Sequence, residues 1–202
     1  MIKFEAAEGG EILYFKHAVV ARVETNKNMD EISEEGAYEL ASSIAVMPID
    51  DDHIEQRIVG IFSDAEVEEG AVSTNGVIYA RRFPDIVSDL YMGKRWLSIE
   101  ADAEMAECSV CGGRFKRKDE LCAHLCSPIQ VRRKEGYRRK LSGLRAIGGG
   151  ITPHPAGTDT SFDPTNFKMV AHVEWGLDEE DRQIIEQIDT LLRQYGLRVL
   201  NG

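Results

Sequence analysis

Trp96-Leu97-Ser98-Ile99-Glu100-Ala101, with the cysteine cluster from Cys108 to Cys126 that hangs from it, is the stretch on which the fold turns. The first part is a short apolar strand carrying one hydroxyl, Ser98. The second holds all four cysteines and one of the five histidines of the chain. Cys108-Ser109-Val110-Cys111-Gly112-Gly113 has the form of a metal knuckle: two thiolates two residues apart, then glycines that let backbone N–H groups turn toward sulfur. Cys122-Ala123-His124-Leu125-Cys126 offers three donors for two remaining positions. Cys108, Cys111, Cys122 and His124 are the preferred ligands, with Cys126 as the alternate. Thiolate and imidazole donors in tetrahedral number point to Zn²⁺. Four protein ligands close the coordination sphere, so a zinc here is structural.

Outward from that stretch, the predicted fold is α+β and mostly β: a small barrel or sheet flanked by helices, with a zinc-binding insertion and a C-terminal amphipathic helix. Strands are expected over 2–7 and 12–24, split by Gly9-Gly10. Ser33 before Glu34 and Glu35 predicts a helix N-cap. Asp50-Asp51-Asp52-His53 reads as an acidic loop. Strands follow over 58–67 and 77–82, with Ser73-Thr74-Asn75-Gly76 as their turn. A short helix from Asp85 ends at Gly93. Leu141 to Thr152 reads as a core strand, residues 157–170 as loop, and 178–195 as an amphipathic helix. The organisation expected is a core over 1–107 and 127–170, a zinc-binding insert over 108–126 and a helical tail over 171–202.

With 202 residues, 43% of them hydrophobic and 29% charged, the chain can bury a core without disulfides. It contains no apolar run long enough to span a bilayer, so no membrane role is expected. The N-terminal sequence lacks signal-peptide character, which makes a cytoplasmic origin the expectation. A net charge of −11 disfavours nonspecific nucleic-acid binding. Basic residues do cluster at Arg114–Lys118 and Arg132–Lys140, and the simplest reading is a solvated face balancing acidic neighbours. A zinc-dependent nucleic-acid reader is the weaker alternative.

One order of motifs goes further. A helix leads to Met47-Pro48 and Asp52-His53, then Val59-Gly60-Ile61-Phe62-Ser63-Asp64-Ala65, paired strands, a helix from Asp85, Gly93, and Leu97-Ser98-Ile99-Glu100. This succession resembles the prohead (capsid maturation) serine proteases of tailed phages, which are related in fold to the herpesvirus assemblins. The stretch Ala146-Ile147-Gly148-Gly149-Gly150-Ile151-Thr152 with Pro155-Ala156-Gly157 is similar to the closing strand of that family. The resemblance spans about residues 10–160. It implies Ser98 as nucleophile and His53 as general base. It puts His154, by analogy with the second histidine of assemblins, in the third place of the triad. Asp50, Asp51, Asp52 and Glu100 are rival orienting groups. The chemistry is sound in itself, since a serine hydroxyl needs a neighbouring imidazole to accept its proton. The resemblance further implies major capsid protein and scaffold protein as partners, self-cleavage or homo-oligomerisation, and a place in the host cytoplasm and inside the immature phage head. A catalytically inactive virion protein on the same fold, with a zinc-stapled interaction surface, is the other reading.

Overall fold

The computed structural model describes residues 12–157, 160 and 162–170, together with three isolated helical positions at 183, 187 and 190. The strand expected over 2–7 and most of the helix expected over 178–195 lie outside the described residues. Within them the chain is α+β and mostly β. Nine strands form one sheet: β1 (Ile12–Arg22), β2 (Asp30–Ile32), β3 (Pro48–Asp51), β4 (Ile54–Glu68), β5 (Ala71–Ile78), β6 (Trp96–Cys108), β7 (Arg114–Phe115), β8 (Arg139–Thr152) and β9 (Phe167–Val170). Four helices accompany them: α1 (Glu34–Ser43), α2 (Pro84–Tyr91), α3 (Ala123–Cys126) and α4 (Ile129–Glu135).

The strand order is β7-β6-β8-β3-β4-β5-β1-β9, with β2 added in parallel to the outer part of β8. The sheet does not close, which corrects the barrel alternative. The central pairing is β6 with β8, antiparallel over their whole lengths from Trp96↔Thr152 to Cys108↔Arg139. Strand β3 lies parallel to the other side of β8, with Asp50 opposite Gly150. The core takes Leu13, Phe15, Leu40, Ile44, Ile49, Val59, Phe62, Ile78, Leu90, Leu97 and Ile151, all 2% exposed or less. Helix α1 packs Ala37 and Leu40 into it. Its start follows the sequence: the Ser33 hydroxyl accepts the Gly36 N–H at 3.1 Å.

Three expectations are corrected. Ser73-Thr74-Asn75-Gly76 is not a turn but part of β5. The reversal lies at Glu69-Gly70, both at positive φ (48° and 73°), as a two-residue hairpin of the type I′ kind requires. Asp50 and Asp51 are not loop residues but the end of β3. The segment expected as loop after 157 contributes β9, which pairs with β1 from Ile12↔Val170 to Phe15↔Phe167.

The insert occupies the far end of the β6–β8 hairpin and runs past Cys126 through α4, which ends at Gly136 in a left-handed cap (φ 71°). Ser98 and Cys108 stand ten residues apart on one strand, so the hydroxyl and the metal cluster are separated by roughly 33 Å at strand rise.

Candidate functional site

Strand geometry assembles the first site. Side chains of directly opposed residues in an antiparallel pair share a face, with their Cβ positions about 5 Å apart. Ser98 faces Gly150, and Glu100 faces Gly148. Residues two apart on a strand also share a face. Ser98, Glu100, Gly148 and Gly150 therefore line one surface of the sheet, and Asp50 extends the row from β3.

The two glycines leave a hollow, and His53 fills it. A Cβ added at Gly150 would lie 2.9 Å from His53 Cε1, 2.9 Å from His53 Nδ1 and 3.0 Å from Asp50 Oδ1. The imidazole thus rests on the cross-strand partner of Ser98, in the space any larger residue there would need. Gly149 points the other way, where a Cβ would meet the Phe62 ring at 2.7 Å. The glycine triplet serves both faces of the sheet. Its contribution is room for the ring. The triplet lies within the ladder, paired with β6 along its length and with β3 at Gly149 and Gly150.

The chain brings His53 to this place through an unusual turn. Asp51 pairs with Ile54, so Asp52-His53 is a two-residue hairpin loop with both residues at positive φ (55° and 62°). Such loops favour Asn-Gly or Asp-Gly, and holding non-glycine residues there costs on the order of 1 kcal/mol each. The surroundings hold them. The His53 N–H donates to Asp50 Oδ1 at 2.7 Å, and the Thr152 hydroxyl donates to Asp52 Oδ1 at 2.6 Å. The Asp52 N–H donates to the Ile151 carbonyl at 3.1 Å. Behind the turn, buried Asp51 pairs with Arg57 at 2.8 Å and also with Arg95.

His53 Nδ1 lies 2.7 Å from Glu100 Oε1. That bond engages Nδ1 and leaves Nε2 as the other ring nitrogen. The carboxylate that meets the His53 ring is Glu100, one of the rivals named from sequence. Its position has a plain cause: Glu100 is two residues from Ser98 on the same strand and shares its face. His154 is exposed in the exit turn, where its N–H donates to Thr152 Oγ1 at 3.1 Å and its side chain lines the same cleft. Ligand atoms of Asp50, His53 and Glu100 fall within 4.8 Å of one another, a measure of how tightly the row is drawn. Asp50 is 4% exposed. Burial, followed by the nearby Glu100 charge, raises its carboxyl above the ordinary aspartate range, against the pull of the His53 N–H.

A cleft of about 750 Å³ opens over this row. Its floor includes His53, Trp96, Ser98, Ile99 and Glu100, and its rim includes Lys27, Arg133 and the exit turn 153–156. Ser98 itself is 5% exposed, at the bottom of the cleft.

The second site lies at the far tip of the hairpin. Ligand atoms of Cys108, Cys111, Cys122 and His124 lie within 4.8 Å of one another, close enough to bind a metal ion. Cys122 Sγ and His124 Nδ1 are 3.8 Å apart. Cys126, the alternate ligand, is outside the group; its exposed sulfur meets the Leu121 carbonyl at 3.3 Å. Burial raises the Cys108 thiol, but N–H groups of Cys111 and Val110 and the neighbouring Cys122 and Cys111 thiols outweigh it. The result is a thiol below its ordinary range, suited to donate as thiolate.

Five arginines around this cluster have carboxylate partners. Arg114 pairs with Glu107, Arg117 with Asp119, Arg138 with Glu31, and Arg139 with Asp30 through two bonds of 2.5 and 2.8 Å. Arg132 is buried against Asp30 and the Met29 carbonyl. The exposed pairs of Arg114, Arg117 and Arg138 fit the expected solvated face balancing acidic neighbours, while Arg132 and Arg139 tie the insert to Asp30.

No family model matches the chain, and no curated protein matches it. Among the described residues no helix is long and apolar enough to cross a membrane.

Proposed function

We propose that the protein is a serine endopeptidase that cleaves scaffold and capsid-protein segments during maturation of a phage prohead. Ser98 is the nucleophile, His53 the general base and Glu100 the residue that orients it. The observation that carries this reading is the His53 imidazole seated over Gly150, the cross-strand partner of Ser98, with Nδ1 held by Glu100 at 2.7 Å. In the acylation step Nε2 takes the Ser98 proton as Oγ bonds to the scissile carbonyl carbon. The imidazolium then protonates the departing amine, and water repeats the cycle on the acyl-enzyme. Glu100 stabilises the imidazolium without taking its proton. The motif order from Met47 to Gly157 supplies the phage context, with capsid and scaffold proteins as partners and the immature head in the host cytoplasm as the setting.

The cluster of Cys108, Cys111, Cys122 and His124 is proposed to hold Zn²⁺ in a closed structural site. Three thiols and an imidazole are the donor set that zinc favours, and the cluster stands far from Ser98. That distance also supports a second reading, in which the protein is an inactive virion component and the zinc-stapled tip is a docking surface. Nucleic-acid binding is disfavoured by the net charge of −11 and by the carboxylate partners of Arg114, Arg117, Arg132, Arg138 and Arg139.

Co-expression with the neighbouring capsid and scaffold proteins separates the two readings. Wild type is expected to produce capsid or scaffold fragments, or a shortened form of itself, that Ser98→Ala and His53→Ala do not. Identical band patterns in all three, with assembly intact, favour the inactive virion component.

A further inference from the structure

The cleft has a wall that is not built by the core sheet. A series of contacts leads from the metal cluster to it. The His124 ring packs edge-on against Tyr137 with centroids 5.1 Å apart. The Tyr137 N–H donates to the Arg132 carbonyl at the end of α4. From α4, Arg132 Nη2 donates to the Met29 carbonyl at 3.0 Å, and Arg133 donates twice to the Lys27 carbonyl, from Nε at 2.9 Å and from Nη2 at 2.5 Å. Lys27 in turn grips the exit turn. Its N–H donates to the Ala156 carbonyl at 2.8 Å and its ammonium to the Pro155 carbonyl at 3.1 Å. Lys27, Arg133, Pro155 and Ala156 all line the cleft.

Arg133 is singular in its surroundings. Each of the other arginines from Arg114 to Arg145 has a carboxylate within 4.0 Å; Arg133 has none among the described residues. Its guanidinium is committed instead to a backbone carbonyl 106 residues away in sequence. Ser98, His53 and Glu100 do not depend on this contact, because β3, β6 and β8 hold them from beneath.

Resting on the protease reading, we propose that Arg133 and Lys27 are positioning residues forming a strap, through which the metal module shapes the substrate-binding wall of the cleft. The strap governs how well a peptide is held over Ser98. The chemical step belongs to the row on the sheet. Metal binding at one end of the hairpin therefore regulates substrate affinity at the other.

The test uses the full chain and a tri-alanyl diphenyl phosphonate, whose phosphorus bonds to Ser98 Oγ as phenol departs. Its rate of inactivation separates reversible binding (KI) from the bond-forming step (kinact). Arg133→Ala and Lys27→Met are expected to raise KI at least fivefold and leave kinact within twofold, with Arg133→Lys recovering part of the loss. Cys122→Ser, or the chain after chelation, is expected to copy the rise in KI. Its combination with Arg133→Ala should be no worse than either alone, because both break one series of contacts. Hydrogen exchange is expected to rise over 153–157 and hold steady over 59–62, which shows that the core remains folded. Unchanged KI in both strap variants, or effects of Cys122→Ser and Arg133→Ala that multiply, overturns the strap alone. Failure of wild type to label at Ser98 overturns the strap and the protease reading together. If Cys122→Ser does not fold, the two strap variants and their exchange profile decide the matter.

Discussion

Replacing Gly150 with alanine adds one methyl group and tests the centre of the site. The new Cβ would stand 2.9 Å from two atoms of the His53 ring and 3.0 Å from Asp50 Oδ1. Ordinary contact begins near 3.4 Å, so the ring must move by about 0.5 Å or more, away from the face it shares with Ser98. Displacements approaching 1 Å at a catalytic group cost on the order of 10²-fold in rate, equivalent to roughly 2.7 kcal/mol of barrier. Stability responds differently. The His53 ring is partly exposed and has cleft to move into, and alanine loses less backbone entropy than glycine on folding. Gly150→Ala is thus expected to inactivate about a hundredfold with a small change in Tm. Gly149→Ala is the control: its Cβ would strike the Phe62 ring at 2.7 Å in a core with no room to yield, at a cost of about 1–3 kcal/mol in stability. Phosphonate labelling of Ser98 and a thermal melt read both quantities. Labelling of Gly150→Ala at the wild-type rate would refute the placement of His53.

Other substitutions probe neighbouring parts of the account. Glu100→Gln keeps the shape of the proposed orienting group but removes its charge and permits the wrong imidazole tautomer, so the labelling rate is expected to fall by about 10²–10⁴ with Tm little changed; a loss under threefold contradicts the proposed triad. Asp50→Asn gives a pH-dependent gain. The folded-state carboxyl of Asp50 is raised chiefly by burial, so its stabilising contribution is complete below the ordinary aspartate range and is lost as pH rises through the folded value. Asparagine can still accept the His53 N–H. Its Tm advantage over wild type should therefore be near zero at about pH 3 and grow toward neutrality; a constant difference contradicts the assignment. Cys108→Ser with Cys111→Ser is expected to remove one zinc per chain by elemental analysis and lower Tm, whereas unchanged metal content refutes the cluster.

Much of this was legible in the sequence, and the failures share a physical origin. Periodicity places the long strands and the helix capped by Ser33 because each is specified locally. The ligand choice of His124 over Cys126 also emerges, since three thiols and one imidazole converge while Cys126 faces away at the end of α3. The partner of the His53 ring was harder to rank. A histidine in a prolyl turn has an orientation set by long-range packing, while Glu100 obeys the two-residue repeat of a strand. That repeat was the available signal. Strand β9 was missed because its four residues become a strand only by pairing with β1. The turn at Glu69-Gly70 was overlooked in favour of Asn75-Gly76, a strong turn dipeptide that the structure instead places within β5. The role proposed for Lys27 and Arg133 depends on contacts across more than a hundred residues, which no local pattern announces.

The most direct measurement is the intact mass of the chain after treatment with a fluorophosphonate, with the adduct mapped by peptide sequencing. The account predicts one adduct per chain, on Ser98, absent in Ser98→Ala and formed at least a hundredfold more slowly in His53→Ala. An unlabelled wild-type chain, or labelling that does not depend on His53, would contradict it.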